Sequence, residues 1–238
     1  MNWVKDETVA ILTLTNGENR QNLVFSQILN AMLDEIIADK TITALIITSN
    51  DAKNFSQGID VTWIMGQMEK NDHQPVVNFI NEMDNVFKKL LLYPVPVIAA
   101  INGHAYGNGS ILSCACDFRF MRSDKGFFCF PEVNISIPFR WGMNAFVKKA
   151  IPIHLLSQMQ FTGNRFTAAE LEKNNIIVKA CANQEDLMAT TIAFAKTFQK
   201  KRSIFGEMKR RLYSDIIKVL DDDVMTPAGK ITDLVMLD

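Results

Sequence analysis

The sequence is poor in the residue types that build metal sites and disulfide frameworks. It has three histidines, His73, His104 and His154, and four cysteines among 238 residues. Cys114 and Cys116 are separated by a single residue, which is not the spacing of a zinc knuckle, and no histidine cluster lies beside them. We therefore expect no metal site, and buried, reduced thiols as in a cytoplasmic protein.

Excess charge and long apolar runs are also lacking. The chain has 25 basic and 26 acidic residues, so it has no basic field that would attract nucleic acid. Its longest apolar run, at residues 90–101, contains two prolines and is too short to cross a membrane. The N-terminus contains acidic residues and does not resemble a signal peptide. Neither nucleic acid nor a membrane is an expected partner.

What is present is a repeated order of apolar strand, glycine-bearing loop and helix. This alternation predicts an α/β fold whose sheets are covered by helices. We expect one core domain over residues 1–198 and a more charged, helical region over residues 199–238. The pattern predicts one helix that starts at an N-cap, Ser26, and a second helix over residues 76–90. It also predicts strands at 9–15, 44–49, 97–101, 118–122, 127–130 and 176–180.

Two glycine-bearing loops carry the clearest functional signal. The sequences FSQGID (55–60) and AYGNGS (105–110) each follow an apolar strand and precede an apolar helical stretch. The start of a helix leaves free backbone N–H groups, and the helix dipole adds partial positive charge. If the loops lie side by side, they form an oxyanion hole. Two ordinary tight turns remain the alternative at this stage.

Four segments in series resemble the crotonase (enoyl-CoA hydratase/isomerase) superfamily. They are LIITSNDAKNFSQGIDV, VPVIAAINGHAYGNGSILSCACDFRF, FPEVNISIP and FTGNRFTAAE, and the resemblance covers residues 3–200. It implies a crotonase-like spiral of ββα units with a C-terminal helical region that builds homotrimers or homohexamers. It also implies an enzyme of fatty acid metabolism that binds acyl-CoA thioesters and stabilises their enolates. Coenzyme A would arrive as part of the substrate, with no other cofactor.

The resemblance also implies roles for particular residues. The oxyanion donors would be the backbone N–H groups of Ile59 and Asn108, although many relatives have glycine at the second position. Glu132 corresponds to one family glutamate, whereas Ile111 stands where hydratases carry the other. A single carboxylate suits a Δ3-Δ2-enoyl-CoA isomerase, in which one proton moves between C2 and C4, about 2.5 Å apart. Hydrophobic neighbours in the sequence would raise the pKa of Glu132.

Further residues of the two loops are implied in substrate binding. Several of them have simpler interpretations: Arg20 and Lys53 as ordinary surface cations, Asp60 as an acid at a helix start, and Trp63 as core packing. Ser110 is interpreted as a helix cap and His104 as loop packing. The implied substrate-binding residues are Arg20, Asn22, Lys53, Gln57, Gly58, Asp60, Trp63 and Gly107.

Two alternatives to the isomerase remain open. One is an enoyl-CoA hydratase with an atypical second acid, and the other is a non-catalytic acyl-CoA-binding subunit. Dienoyl isomerases and acyl-CoA hydrolases of the family carry an additional acid shortly after the glutamate. No acid follows in residues 133–140, and Arg140 argues against both activities.

Overall fold

A computed structural model describes residues 1–224, in which strands and helices alternate along the chain. The ten helices of this range are α1 Leu23–Ala38, α2 Val61–Glu69, α3 Gln74–Leu92, α4 Asn108–Ala115, α5 Trp141–Ala150, α6 Ile153–Thr162, α7 Ala168–Lys173, α8 Gln184–Lys196, α9 Arg202–Leu212 and α10 Ser214–Asp222. The twelve strands are β1 Asn2–Asp6, β2 Val9–Leu14, β3 Arg20–Gln21, β4 Ala44–Ser49, β5 Asn54–Ser56, β6 Gly58–Ile59, β7 Val97–Ile101, β8 His104–Tyr106, β9 Phe118–Arg122, β10 Phe128–Cys129, β11 Arg165–Phe166 and β12 Lys179–Cys181.

Six strands form the larger sheet, in the order β1-β2-β4-β7-β9-β12. Only the pair of β1 with β2 is antiparallel within this sheet, and the other four pairs are parallel. Every residue of β4 and β7 is buried, as expected for continuous apolar runs in parallel strands covered on both faces. The predicted α/β class is therefore confirmed.

A smaller sheet of four strands, in the order β11-β10-β8-β5, runs beside the larger one. Successive passes of the chain add one strand to each sheet and then a helix: β4 and β5 precede α2, β7 and β8 precede α4, and β9 and β10 precede α5. This is the predicted spiral of ββα units. A third, two-stranded pair joins β3 to β6.

Apolar side chains cover both faces of the larger sheet. One cluster lies between the two sheets and helices α1, α3 and α4, and it includes the fully buried Phe55 and Phe87. A smaller cluster lies under α8, where Leu187 and Ala195 pack against Ile46 and Ile98. All four cysteines, each within the described residues, are buried and unpaired. Among residues 1–224, no helix is long and apolar enough to cross a membrane.

The C-terminal helices α9 and α10 fold back onto the core. Lys209 of α9 forms a buried ion pair with Asp117, with 2.8 Å between Nζ and Oδ2. Leu220 of α10 is fully buried against Gly142 of α5. The predicted helical region is thus observed over residues 202–222, and residues 225–238 lie outside the described part. The boundary at residue 198 stays a prediction.

Two local predictions were wrong. Helix α1 begins after Asn22, whose side chain accepts a hydrogen bond from Phe25 N–H at 3.1 Å. Ser26 lies inside the first turn and donates to the Leu23 carbonyl instead. The last strand lies three residues beyond the predicted start at 176, because Ile176 and Ile177 pack into the core while 179–181 pair with β9.

Candidate active site

The fold brings the two glycine-bearing loops into direct contact. Gly58 has φ +77°, and a Cβ atom there would lie 2.9 Å from the Asn108 nitrogen and 2.5 Å from the Tyr106 carbonyl oxygen. Only glycine permits this approach without moving the backbone, because the conformation is left-handed and the space is occupied. The segment before Ile59 therefore lies against the first residue of α4.

The two expected backbone donors lie at the start of α4 and at the end of β6. Helix α4 begins at Asn108, and its first amides have no intrahelical acceptor, since the 5→1 bonds start with Ile111 N–H to Gly107 O. Asp60 N–H donates to Gln21 O at 2.8 Å. Ile59 is the residue before Asp60 and ends β6, and its role as the first donor stays a prediction. Two donors near a helix N-terminus can hold one negatively charged oxygen.

Glu132 lies next to the second loop, at the start of a short 3-10 turn, Glu132–Ile135. Its Oε1 atom is 3.2 Å from the position that a Cβ on Gly107 would occupy. Although the residue as a whole is only partly buried, its Oε2 atom is shielded from solvent and has no hydrogen-bond partner within residues 1–224. Burial raises the pKa of Glu132 from 4.5 to about 7, opposed by a hydrogen bond from its own backbone.

Glu132, Ile59 and Asn108 line one cavity of about 100 Å³. Among the described residues that line it, Glu132 is the only acid, and Ile111 occupies part of the wall. The remaining lining residues are mostly apolar: Val61, Ile64, Met65, Phe79, Ile80, Ile137, Pro138, Phe139, Arg140 and Met143. A site of this composition suits an alkyl chain beside one ionisable group.

Glu132 also borders a second, more open cleft of about 420 Å³. The polar side chains along this cleft include Ser136, Asn144 and Gln160, and Phe161 forms part of its exposed rim. Glu132 thus lies between a more enclosed, apolar cavity and a cleft that water can enter.

Several residues expected to bind substrate have structural roles near the first loop. Asn22 and Asp60 are the N-caps of α1 and α2, and Asp60 accepts a hydrogen bond from Trp63 N–H at 3.0 Å. The Asn22 Nδ2 atom is 3.4 Å from Asp60 Oδ2, so the two caps adjoin each other. Gln57 donates through Nε2 to Asn54 Oδ1 at 2.5 Å. These contacts fix the loop, and contact with substrate stays a prediction.

The two basic residues expected to bind substrate lie on the surface. Arg20 is exposed and forms an ion pair with Glu18, with 2.9 Å between Nε and Oε2. Lys53 is exposed beside the same loop. Trp63 does not line the cavity; it packs edge-to-face against Phe79, which does, with 5.8 Å between ring centroids. Trp63 therefore supports the wall of the cavity from behind.

Ser110 and His104 are both held by hydrogen bonds to residues in or next to the smaller sheet. Ser110 is not the predicted helix cap, because α4 begins after Gly107 and the Ser110 hydroxyl bonds the carbonyl oxygens of Ala105 and Cys129. His104 accepts a hydrogen bond from Phe127 N–H at 3.2 Å and stacks on the Phe127 ring. This agrees with its interpretation as loop packing.

Two features had no signal in the sequence pattern. Gln21 is fully buried behind the two loops, although a polar residue in so short a strand gives no hint of its partners. Arg140 pairs with Asp84 at 2.7 Å and with Asp223 at 3.2 Å, which ties α10 to α3 next to the cavity. Burial raises the pKa of Asp84 to about 6, and the Arg140 guanidinium opposes that shift.

Comparisons with known proteins find chains of similar sequence and of the same fold. A peroxisomal enoyl-CoA delta isomerase 2 of Arabidopsis thaliana is 28% identical over 220 residues, covering 88% of this chain and 90% of that protein. A mitochondrial enoyl-CoA hydratase domain-containing protein 3 of Xenopus laevis is 28% identical over 228 residues, which cover 94% of this chain and 74% of that protein. The crystal structure of a probable enoyl-CoA hydratase of Mycobacterium tuberculosis superposes with a TM-score of 0.84 at 21% identity, covering 94% and 92% of the two chains. The enoyl-CoA hydratase/isomerase family model matches residues 5–223, and the chain belongs to this family.

Proposed function

We propose that this protein is a Δ3-Δ2-enoyl-CoA isomerase with Glu132 as its only acid/base. The observation that supports this most directly is the composition of the cavity. Glu132 is the one carboxylate among its described lining residues, and Ile111 stands where the family resemblance expects the second glutamate of hydratases. Adding water to a double bond requires a base for the water and an acid for the carbon, whereas moving a double bond requires one group that takes and returns a proton.

In the proposed reaction, the Glu132 carboxylate removes a proton from C2 of a 3-enoyl-CoA. The electron pair of that C–H bond forms the C1–C2 double bond of an enolate, and negative charge develops on the thioester oxygen. The N–H groups of Ile59 and Asn108 donate to that oxygen and stabilise it. Protonated Glu132 then delivers the proton to C4. The electrons of the C3–C4 double bond form the new C4–H bond, those of the C1–C2 double bond move to C2–C3, and the thioester carbonyl reforms from the oxygen lone pair.

The environment of Glu132 suits both halves of this transfer. A carboxyl with a pKa of about 7 is a stronger base than an exposed glutamate, and it is still substantially ionised at neutral pH. Its Oε2 has no protein partner among the described residues, so it is available to a substrate carbon. The apolar wall keeps the carboxylate poorly solvated, which maintains its basicity.

The substrate assignment carries further proposals. Coenzyme A enters as part of the substrate, and no other cofactor takes part. We place the reacting carbons beside Gly107 and the acyl chain in front of Trp63. We place the CoA moiety at the first loop and the residues next to it, namely Arg20, Asn22, Lys53, Gln57, Gly58 and Asp60. A homotrimeric or homohexameric assembly and a cytoplasmic location stay predictions. Two of the similar relatives are named as peroxisomal and mitochondrial proteins.

The test is NMR of the purified protein with 3-hexenoyl-CoA in D₂O. We expect conversion to the 2-enoyl thioester and at least a ~1000-fold loss of rate in Glu132→Gln, which keeps the size of the side chain but cannot take a proton. The matched control is Glu172→Gln, the same change at an exposed position of α7, which should leave the rate unchanged.

Other outcomes would contradict the proposal in distinct ways. Full activity in Glu132→Gln would exclude the proposed proton transfer. Hydration faster than isomerisation would favour a hydratase that uses water from the open cleft beside Glu132. Tight binding of the CoA thioester without turnover or exchange at C2 would favour a non-catalytic subunit.

A further inference from the structure

The second oxyanion residue has a side chain that makes one hydrogen bond. Asn108 is 3% exposed, and its Nδ2 atom donates to Gln21 Oε1 at 2.5 Å. Its Oδ1 atom is buried and has no partner among the described residues. Within residues 1–224, the bond to Gln21 is therefore the only one that holds the side-chain amide of Asn108, the first residue of α4.

Gln21 holds both oxyanion loops at once. Its backbone carbonyl accepts the Asp60 N–H at 2.8 Å, and it pairs in register with Ile59. Its side chain accepts from Asn108 Nδ2 and donates through Nε2 to Ser56 Oγ at 3.1 Å. One residue thus contacts the segment that carries the first donor and the residue that carries the second.

Ser56 extends this contact to the turn before the first donor. Its hydroxyl accepts from Gly58 N–H at 3.1 Å and donates to Asn19 O at 2.7 Å. Asn19, Gln21 and Ser56 have no exposed surface. Buried amides that lose a partner cannot replace it readily with water, so the backbone must move to satisfy them.

We propose that Gln21 is a positioning residue that sets the distance between the two backbone donors through its bond to Asn108. The proposal rests on the proposed function, because it concerns the same enolate. The donors stabilise the enolate only when each lies within about 3 Å of its oxygen. Loss of the bond would free the first turn of α4 to move relative to β6, and a misplacement of about 1 Å can cost about 100-fold in rate.

The test compares Gln21→Met, Asn108→Gly and the double variant. Methionine has the length of glutamine but no amide, so Gln21→Met leaves the Asn108 side chain without a partner. We expect kcat for isomerisation to fall about 10- to 100-fold while KM changes less than about threefold. Asn108→Gly removes the side-chain amide that bonds Gln21, so no buried amide is left without a partner when Gln21 is replaced. The kcat of the double variant should therefore lie within about threefold of the kcat of Asn108→Gly.

A second readout reports on the oxyanion hole without turnover. Acetoacetyl-CoA forms an enolate that absorbs in the near ultraviolet, and the two donors should raise the enolate fraction of the bound compound. We expect Gln21→Met to lower that fraction and the double variant to restore it. Asn30→Ala is the matched control, since Asn30 is a buried amide that bonds Glu82 between α1 and α3. It should lower stability and leave kcat and the enolate fraction unchanged.

The outcomes separate this proposal from the proposed function. A wild-type protein that binds acetoacetyl-CoA without stabilising its enolate would refute the oxyanion hole itself. If the wild type and Gln21→Met stabilise the enolate equally well and have the same kcat, only the positioning role is refuted. A double variant as impaired as Gln21→Met would also refute it, because the loss would then not pass through the Asn108 side chain.

Discussion

The buried carboxyl of Glu132 should make the stability of the protein depend on pH. Its pKa is raised from 4.5 to about 7 by burial, so the folded protein binds more protons than the unfolded chain between these two values. Stability should therefore fall as the pH rises through this window. The pKa difference corresponds to about 3 kcal/mol, with 1.36 kcal/mol for each pH unit. Glu132→Gln has no proton to lose and removes this dependence.

The assay is urea unfolding of wild type and Glu132→Gln between pH 4 and pH 8. As the pH rises across this range, the free energy of unfolding of the variant should increase by about 3 kcal/mol relative to that of the wild type, mostly between pH 4.5 and pH 7. In parallel, kcat/KM of the wild type should rise with pH and reach half its maximum near pH 7, because the base must be ionised.

A difference in unfolding free energy that stays constant with pH would refute this reasoning. It would mean that Glu132 is as well solvated in the folded protein as in the unfolded chain. A rate that is already maximal at pH 5 would lead to the same conclusion. The apolar cavity would then not be responsible for the basicity of the carboxylate.

Three further changes test other parts of the site. Gly58→Ala would place a Cβ 2.5 Å from a backbone oxygen at φ +77°, so we expect a loss of at least ~2 kcal/mol in urea unfolding. A loss below 0.5 kcal/mol, on the order of a neutral surface change, would contradict the close loop contact. Ile111→Glu adds a second carboxylate to the cavity wall and should raise hydration of 2-hexenoyl-CoA at least ~10-fold over wild type, by NMR; no gain in a folded variant would contradict the two-carboxylate argument. Arg140→Met leaves Asp84 and Asp223 buried without their cation and should cost ~3–5 kcal/mol in the same unfolding assay; an unchanged midpoint would show that the ion pairs do not hold α10.

The sheets and the ββα order could be predicted because their signals are local. The runs that became β4 and β7 are apolar throughout, and a parallel strand covered on both faces requires that composition. Glu132 was identified from its motif, and its poor solvation follows from the apolar residues beside it in the sequence. The contact between the two glycine loops could only be hypothesised, because nothing local specifies which loops meet.

The features that were missed depend on partners far away in the chain. Gln21 bonds residues 35 and 87 positions further on, so its burial has no local pattern. The choice of Asn22 over Ser26 as the cap of α1 follows from where β3 ends, and β3 is fixed by pairing with β6. Ser110 is held by two carbonyl oxygens of the smaller sheet rather than by its own helix.

The most direct test of the account is the fate of the C2 proton of 3-hexenoyl-CoA in D₂O, followed by NMR with wild type and Glu132→Gln. The account predicts conversion to the 2-enoyl thioester by the wild type, with the same proton recovered at least partly at C4, and neither conversion nor exchange in the variant. Conversion by Glu132→Gln at the wild-type rate would contradict it, because the central carboxylate would then take no part in moving the proton.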